Sequence, residues 1–209
     1  MAADSPKPKL YLHQDMEQGE RHAIAGGQAV VYSARCPGKG TPNEDAAALI
    51  PCHPRSGVLA VADGLGGVRA GDQAATLAIQ ALAQAIEGVL RDESMLRTAV
   101  LNGIETANQA VQALGIGAAT TLAAVEIQDD TVRPYHVGDS MILVIGQRGK
   151  IKLQTTSHSP VGFAVESGLL DEKEAMYHED RHLVSNVIGS PEMKIEIGST
   201  LRLAPRDTL

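Results

Sequence analysis

Apolar positions recur along the chain in two patterns, one typical of β-strands and one typical of helices. The order of these patterns predicts the order of the secondary-structure elements. Short apolar runs bounded by turn residues are typical of β-strands, and the first part of the chain contains three: Gln28–Arg35, Ala46–Pro51 and Gly57–Ala62. From about Ala70 to Leu90 apolar residues recur at helical spacing in an Ala-rich segment, which predicts a long helix. Asp92 is then a candidate N-cap for a second helix that runs to about Leu114.

The pattern returns to short strands in the second part of the chain. Four runs separated by turn residues predict an antiparallel meander: Thr120–Ile127, Thr131–Val137, Met141–Ile145 and Ile151–Thr155. A short helix at Asp171–Asp180 and two strands, Lys194–Ile197 and Thr200–Leu203, are expected to follow. Strands, two helices and more strands predict an α+β fold in which two antiparallel sheets pack face to face with helices outside. We expect a flexible extension over residues 1–27 and one domain over residues 28–209.

Two acidic clusters lie at the ends of one predicted hairpin. If the runs that flank the loop His53–Ser56 pair with each other, Asp45 lies opposite Asp63. Glu44 can reach the same cleft if the strand is still irregular there. Carboxylates that converge in this way are best tolerated around a bound cation, and the Gly64 carbonyl is a further oxygen donor. The alternative is an ordinary Asp-Gly turn beside a solvated acidic loop.

A second candidate site is the tight turn Gly138-Asp139-Ser140, which the predicted pairing brings to the same end as Gly117–Thr120. Asp129-Asp130 is expected to be a simple turn. His158 and His182 are expected to be structural rather than ligands.

Composition and charge narrow the class of protein. Apolar residues make up 44% and aromatic residues 2% of the chain, so the core must consist mainly of Ala, Val, Leu and Ile. A formal net charge of −7 without a basic run argues against nucleic-acid binding. Cys36 and Cys52 are the only cysteines, which favours a reducing, cytoplasmic compartment. No apolar stretch reaches the roughly 18–20 residues of a membrane span.

Several segments together resemble, in order, the motifs of the metal-dependent protein phosphatases (type 2C, PPM) of bacterial type. The earlier segments are Asn43–Ala46, Val61–Gly67 with Gly71, Gly117–Thr121 and His136–Ser140. The later ones are His158-Ser159, Val161–Leu170 and Asn186–Gly189.

The resemblance implies an αββα sandwich with two or three Mn²⁺ or Mg²⁺ ions at one end. It also implies hydrolysis of phosphoserine and phosphothreonine in phosphoprotein substrates by a metal-activated water. By the same resemblance, Asp63 would bridge two metal ions, Glu44 and the Gly64 carbonyl would complete one of them, and Asp139 would approach a third position. Asp45 would orient the attacking water.

The chain also departs from the family pattern. Gly40 stands where the family usually has a phosphate-binding Arg, and the adjacent Lys39 is the candidate replacement as a point charge. The later Ser-Asp-Gly and Asp-Asn of the family do not occur before Leu209. The resemblance therefore implies a domain without its C-terminal strands and with weak or absent turnover. A sheet edge exposed in this way would favour self-association. The alternatives are a phosphatase-like binding module without turnover and an α+β domain with merely solvated acidic loops.

Overall fold

An antiparallel sheet of seven strands forms the centre of the fold. The computed structural model describes residues 7–38, 40–65, 70–89 and 93–209. The strands are β1 (Lys9–Leu12), β2 (Glu20–Ile24), β3 (Gly27–Val31), β4 (Asp45–His53), β5 (Ser56–Asp63), β6 (Leu122–Gln128), β7 (Thr131–Val137), β8 (Leu143–Ile145), β9 (Ile151–Gln154), β10 (Glu196–Ile197) and β11 (Leu201–Arg202). The main sheet has the order β1-β4-β5-β6-β7-β10, with β11 also paired to β7.

Four α-helices and two short 3₁₀ turns complete the described chain. The helices are α1 (Gly71–Glu87), α2 (Leu96–Gln112), α3 (Pro160–Glu166) and α4 (Glu172–Ala175), and the 3₁₀ turns are Glu93–Met95 and Gln147–Gly149. None of the helices in the described ranges has the length and apolar character needed to cross a membrane.

Each face of the main sheet packs against a different layer, because successive strand residues point to opposite sides. Ala48 and Ile50 of β4 and Ala60 of β5 are buried in the core that α1 and α2 complete. These helices approach closely: a Cβ added at Gly103 would lie 3.0 Å from the Leu82 Cα. Small and aliphatic residues thus make up this core, as the composition predicts, with Tyr135 as its one aromatic member among the described residues.

Two separate two-stranded sheets, β2–β3 and β8–β9, carry apolar side chains that meet the opposite face of the main sheet. Ala47 and Leu49 pack with Ile24 of β2. Ala123 and Val125 of β6 pack with Val144 of β8. The predicted α+β class, with antiparallel sheets and flanking helices, is confirmed.

The sequence pattern does not predict α3, and α2 begins at Leu96, while its expected N-cap Asp92 lies outside the described residues. Two further differences concern the sheets. Within the stretch expected to be loose, β1 pairs with β4 and β2 pairs with β3, because Tyr11 and Ile24 bury their side chains against Leu49. The predicted meander also ends at β7. Instead of continuing the main sheet, β8 pairs with β9 and forms one bridge to Thr208, and β10 and β11 occupy the outer side of β7. The pairings of β1 with β4 and of β10 and β11 with β7 join segments far apart in the chain, which local patterns do not specify.

Candidate metal and phosphate site

The open end of the β4–β5 hairpin brings together the acidic residues that the sequence singled out. The two-residue turn Pro54-Arg55 places His53 opposite Ser56, and a bulge between Pro51 and His53 shifts the register so that Asp45 is paired directly with Asp63 as predicted. The Gly64 amide donates a hydrogen bond to the Glu44 carbonyl oxygen over 3.0 Å, which holds the residue before β4 beside the residue after β5. Glu44, Asp45 and Asp63 therefore lie at the same end of the sheet.

Asp63 is the electrostatic centre of this cluster. Burial raises the pKa of its carboxyl group to about 6, and the negative charges of Asp45, Asp139 and Glu44, together with a hydrogen bond to Asp45, act in the same direction. Asp139, which lies in the β7–β8 loop, is thus close enough to act on Asp63. A donor set made of carboxylate and carbonyl oxygens suits a hard divalent cation such as Mg²⁺ or Mn²⁺. The oxygen donors of these residues therefore suit the Mn²⁺ or Mg²⁺ ions that the family resemblance implies.

Two threonines connect Asp63 to the loop that carries Asp139. The Asp63 amide donates to Thr121 Oγ1 over 3.1 Å, and Thr121 Oγ1 lies 2.6 Å from Ser140 Oγ. The hydroxyl of Thr120 donates to the Asp63 carbonyl oxygen over 2.9 Å. The sequence marked these threonines only as part of a family motif and assigned them no role. Their function in the structure is to fix the end of β5 and the Gly138–Ser140 loop relative to each other.

Gly64 is required for close backbone packing. A Cβ at this position would lie 2.2 Å from the Gly71 carbonyl oxygen and 2.7 Å from the Glu44 carbonyl oxygen. The sequence suggested that Gly64, Gly66 and Gly67 let the backbone approach a ligand. At Gly64 the space is instead taken by the start of α1 and by Glu44, while Gly66 and Gly67 lie outside the described residues.

A cavity of about 200 Å³ opens beside the carboxylates. Its lining consists of Ala34, Arg35, Cys36, Pro42, Asn43, Glu44, Asp45 and Asp63. Arg35 is one of the residues that line this cavity, and its Nη2 lies 3.5 Å from Asp15 Oδ2. The sequence did not identify Arg35, because the family's usual spacing before Glu44 falls on Gly40 and directs attention to the adjacent Lys39. Lys39, the candidate chosen on that basis, lies outside the described residues.

A larger cavity, about 800 Å³, lies at the opposite end of the hairpin beside His53 and Pro54. Its lining includes Lys7, Lys9 and His22 but none of the acidic residues discussed above. The volume of a cavity therefore does not identify the candidate site in this protein. The converging carboxylates identify it.

Comparison with known proteins places the chain among phosphatases. A family model described as protein phosphatase 2C matches residues 34–178. The protein phosphatase PhpP of Streptococcus pneumoniae is 31% identical over 152 residues, which is 69% of this chain and 61% of that protein. The structure of a serine/threonine phosphatase from S. agalactiae aligns with a TM-score of 0.70 and 26% identity, and the alignment covers 96% of this chain and 76% of that one.

A second similar structure is the catalytic domain of the serine/threonine phosphatase PstP in complex with two manganese ions. It aligns with a TM-score of 0.62 and 26% identity over 84% of this chain and 72% of that one. The chain spans 54% and 61% of the lengths of the streptococcal relatives that it matches. Since the family model covers more than half of the 209 residues, the chain belongs to the protein phosphatase 2C family.

Proposed function

We propose that this protein hydrolyses phosphoserine and phosphothreonine esters in other proteins, with Mn²⁺ or Mg²⁺ as its resident cations. The observation that carries the proposal is the convergence of three carboxylates on a fourth, that of Asp63, whose pKa is raised to about 6 by burial and by its neighbours. Concentrated negative charge of this kind repels a phosphate unless cations neutralise it. The family membership and the manganese complex of PstP support the same reaction class.

Each acidic residue has a distinct proposed role. Asp63, Glu44 and the Gly64 carbonyl hold the cations, and Asp139 serves a further, weaker position. Bound divalent cations neutralise the phosphate and lower the pKa of water, so that no covalent enzyme intermediate is needed. Asp45, hydrogen-bonded to Asp63, accepts a hydrogen bond from the attacking water and orients it.

Arg35 is the proposed phosphate-binding residue. It lines the cavity that contains Asp63, and its planar guanidinium can bind two phosphate oxygens at once, which a lysine cannot do. Lys39 remains a second candidate on sequence grounds. The Asp15 partner of Arg35 holds the side chain at the cavity before substrate arrives.

The substrate in this proposal is a phosphoprotein, and the protein acts in the cytoplasm. The two cysteines support this compartment, since neither Cys36 nor Cys52 forms a disulfide. Self-association through a sheet edge stays a prediction. So does the alternative of a phosphatase-like binding module without turnover, which Gly40 in place of the usual Arg motivates.

The test is Mn²⁺-dependent hydrolysis of p-nitrophenyl phosphate and of a phosphothreonine peptide by purified protein. We expect release of phosphate with Mn²⁺, none with excess EDTA, and loss of turnover in Asp63→Asn. Glu179→Gln, an exposed carboxylate in a remote segment, is the matched control. Turnover that survives Asp63→Asn would refute the assignment. Mn²⁺ binding by calorimetry without hydrolysis of either substrate would favour the binding module.

A further inference from the structure

His158 is a buried side chain that links three segments near the proposed metal site. It is 7% exposed and precedes α3. Its Nδ1 accepts a hydrogen bond from the Gly138 amide over 3.1 Å and lies 2.9 Å from Asn186 Nδ2. Its Nε2 lies 3.0 Å from Glu196 Oε2. The ring therefore connects the loop of Asp139 to β10 and to the segment before it.

The hydrogen bonds determine which ring nitrogen carries the proton. A backbone amide only donates, so Nδ1 of His158 must offer its lone pair to Gly138. In the neutral ring the proton then lies on Nε2, which donates to Glu196. The partners of this one imidazole thus select a single tautomer.

This tautomer argues against a metal site in the same cluster. Ligand atoms of His136, His158 and Glu196 lie within 4.8 Å of one another, as no other group of three His, Cys, Asp or Glu does in the described part of the chain. However, the lone pair of His158 Nδ1 is directed at Gly138 and its Nε2 carries the proton that is donated to Glu196, so this ring has no lone pair left for a metal. Metal ligands need a free lone pair on the coordinating nitrogen. The cluster is therefore held together by hydrogen bonds rather than by a metal. We call His158 with its partners Gly138, Asn186 and Glu196 the relay.

The relay acts on a loop that has little freedom of its own. Gly138 has φ +107°, and a Cβ there would lie 2.7 Å from Thr121 Cγ2. The His158 amide also donates to the Gly138 carbonyl oxygen over 3.0 Å. Gly138 is therefore held on one side by Thr121 and on the other by both the ring and the backbone of His158.

The far side of the relay is also held firmly. Asn186 accepts from the Lys194 amide over 3.0 Å and donates to the Lys194 carbonyl oxygen over 2.7 Å. The ring of His136 stacks on that of His158 with a centroid distance of 4.3 Å. These contacts fix both the position and the plane of the His158 ring.

We propose that His158 is a positioning residue that holds the Gly138–Ser140 loop so that Asp139 stays beside Asp63. The inference rests on the proposed metal site, in which Asp139 takes part, but it concerns a residue that touches neither substrate nor cation. Without the Nδ1 acceptor, the Gly138 amide loses its partner, and the loop keeps only its contacts with Thr121 and with the His158 backbone. Asp139 is then held less firmly beside Asp63.

Two substitutions at the same position separate this role from bulk packing. In His158→Asn the side-chain oxygen takes the place of Nδ1 and can accept from Gly138. In His158→Gln the polar end takes the place of Nε2 and cannot. We expect His158→Gln to weaken Mn²⁺ binding about tenfold, as loss of a group that orients a ligand does elsewhere. In His158→Asn the Mn²⁺ affinity should stay within about threefold of the wild type, a smaller loss than in His158→Gln.

The readouts are Mn²⁺ calorimetry on metal-free protein and amide hydrogen exchange of Gly138 by NMR. Exchange should accelerate in His158→Gln and stay slow in His158→Asn and in the wild type. Equal Mn²⁺ affinity in the two variants would overturn the proposal. If His158→Gln does not fold, long-range ¹⁵N NMR of the wild type still decides, because a proton on Nδ1 contradicts the relay.

The two proposals fail in different ways. Wild-type protein that binds Mn²⁺ but hydrolyses no phosphoester refutes the proposed function and leaves the His158 experiment intact. A phosphatase whose Mn²⁺ affinity does not respond to His158→Gln refutes only the positioning role.

Discussion

Asp45 and Asp63 are directly opposite each other at the open end of the β4–β5 hairpin, and their carboxyl groups share a hydrogen bond. Two carboxyl groups can hydrogen-bond only when one of them is protonated. The pKa of Asp63, raised to about 6, means that its carboxyl group keeps its proton to a higher pH than an ordinary aspartate does. A cation at this position would replace that proton.

Asp63→Asn is expected to raise the stability of the metal-free protein and to remove its stabilisation by Mn²⁺. Without metal, the substitution removes a partly buried charge that Asp45, Asp139 and Glu44 repel, so the melting temperature at pH 8 should rise. With Mn²⁺ the wild type should gain stability and the variant should not. Differential scanning calorimetry with EDTA and with Mn²⁺ measures both effects. A variant that is less stable than the wild type in EDTA would contradict the repulsion argument.

The same residue predicts how stability depends on pH. The folded pKa of Asp63 is raised from 3.8 to about 6, so between these values the folded chain binds more protons than the unfolded chain. The free energy of unfolding attributable to Asp63 is therefore highest below about pH 4 and falls as the pH rises through about 6. Melting curves of wild type and Asp63→Asn in EDTA, from pH 4 to 8, isolate this contribution. The advantage of the variant should grow with pH; a constant difference would refute it.

Arg35→Ala is expected to raise KM for a phosphopeptide about tenfold or more, because a hydrogen bond to a charged group contributes about 1.5–3 kcal/mol. Arg35→Lys should restore only part of the affinity, since lysine lacks the planar fork. Arg55→Ala, at the other end of the hairpin and paired with Asp129, is the control. Steady-state kinetics with unchanged KM in Arg35→Ala would remove Arg35 from the phosphate site.

Gly64→Ala is expected to destabilise the fold by about 1–3 kcal/mol, the usual range for overpacking. The added methyl group would lie 2.2 Å from the Gly71 carbonyl oxygen, so the start of α1 must move. Gly40→Ala is the control, because its methyl group would have no neighbour within 4 Å. Urea unfolding compares the two variants. Similar stabilities would mean that α1 adjusts without cost.

Tyr135→Phe is expected to lower stability by about 1–3 kcal/mol, because it leaves a buried carboxylate without its donor. Tyr135 is fully buried, and its hydroxyl donates to Glu126 over 2.5 Å. Burial, and next the hydrogen bond to Glu126, raise the pKa of Tyr135 far above its usual value. The double variant Glu126→Gln/Tyr135→Phe should recover part of the loss in urea unfolding. Mn²⁺ affinity should not change, because the pair lies in the core rather than at the site.

The elements that were predicted well are those whose signal is local. The strand Thr131–Val137 was predicted with the bounds of β7. The hairpin with Asp45 opposite Asp63 followed from two apolar runs and one short turn, which together leave one register. Arg35 was missed because the expected spacing before Glu44 directed attention to Lys39. The sequence predicts that His158 is structural rather than a ligand, but it does not identify the partners Gly138 and Glu196, which are distant in the chain.

By itself the sequence determined the α+β class, the hairpin register, the small-residue core and the acidic residues at one end of the sheet. Alternation, helical spacing and turn chemistry act over a few residues, so these features are readable without a fold. Only the tertiary structure decided that β8 leaves the main sheet, that Arg35 reaches the cavity, and that His158 holds Gly138. Each of these features depends on hydrogen bonds or packing between segments that are distant in the sequence. Such contacts form only when the whole chain folds and its buried polar groups find partners.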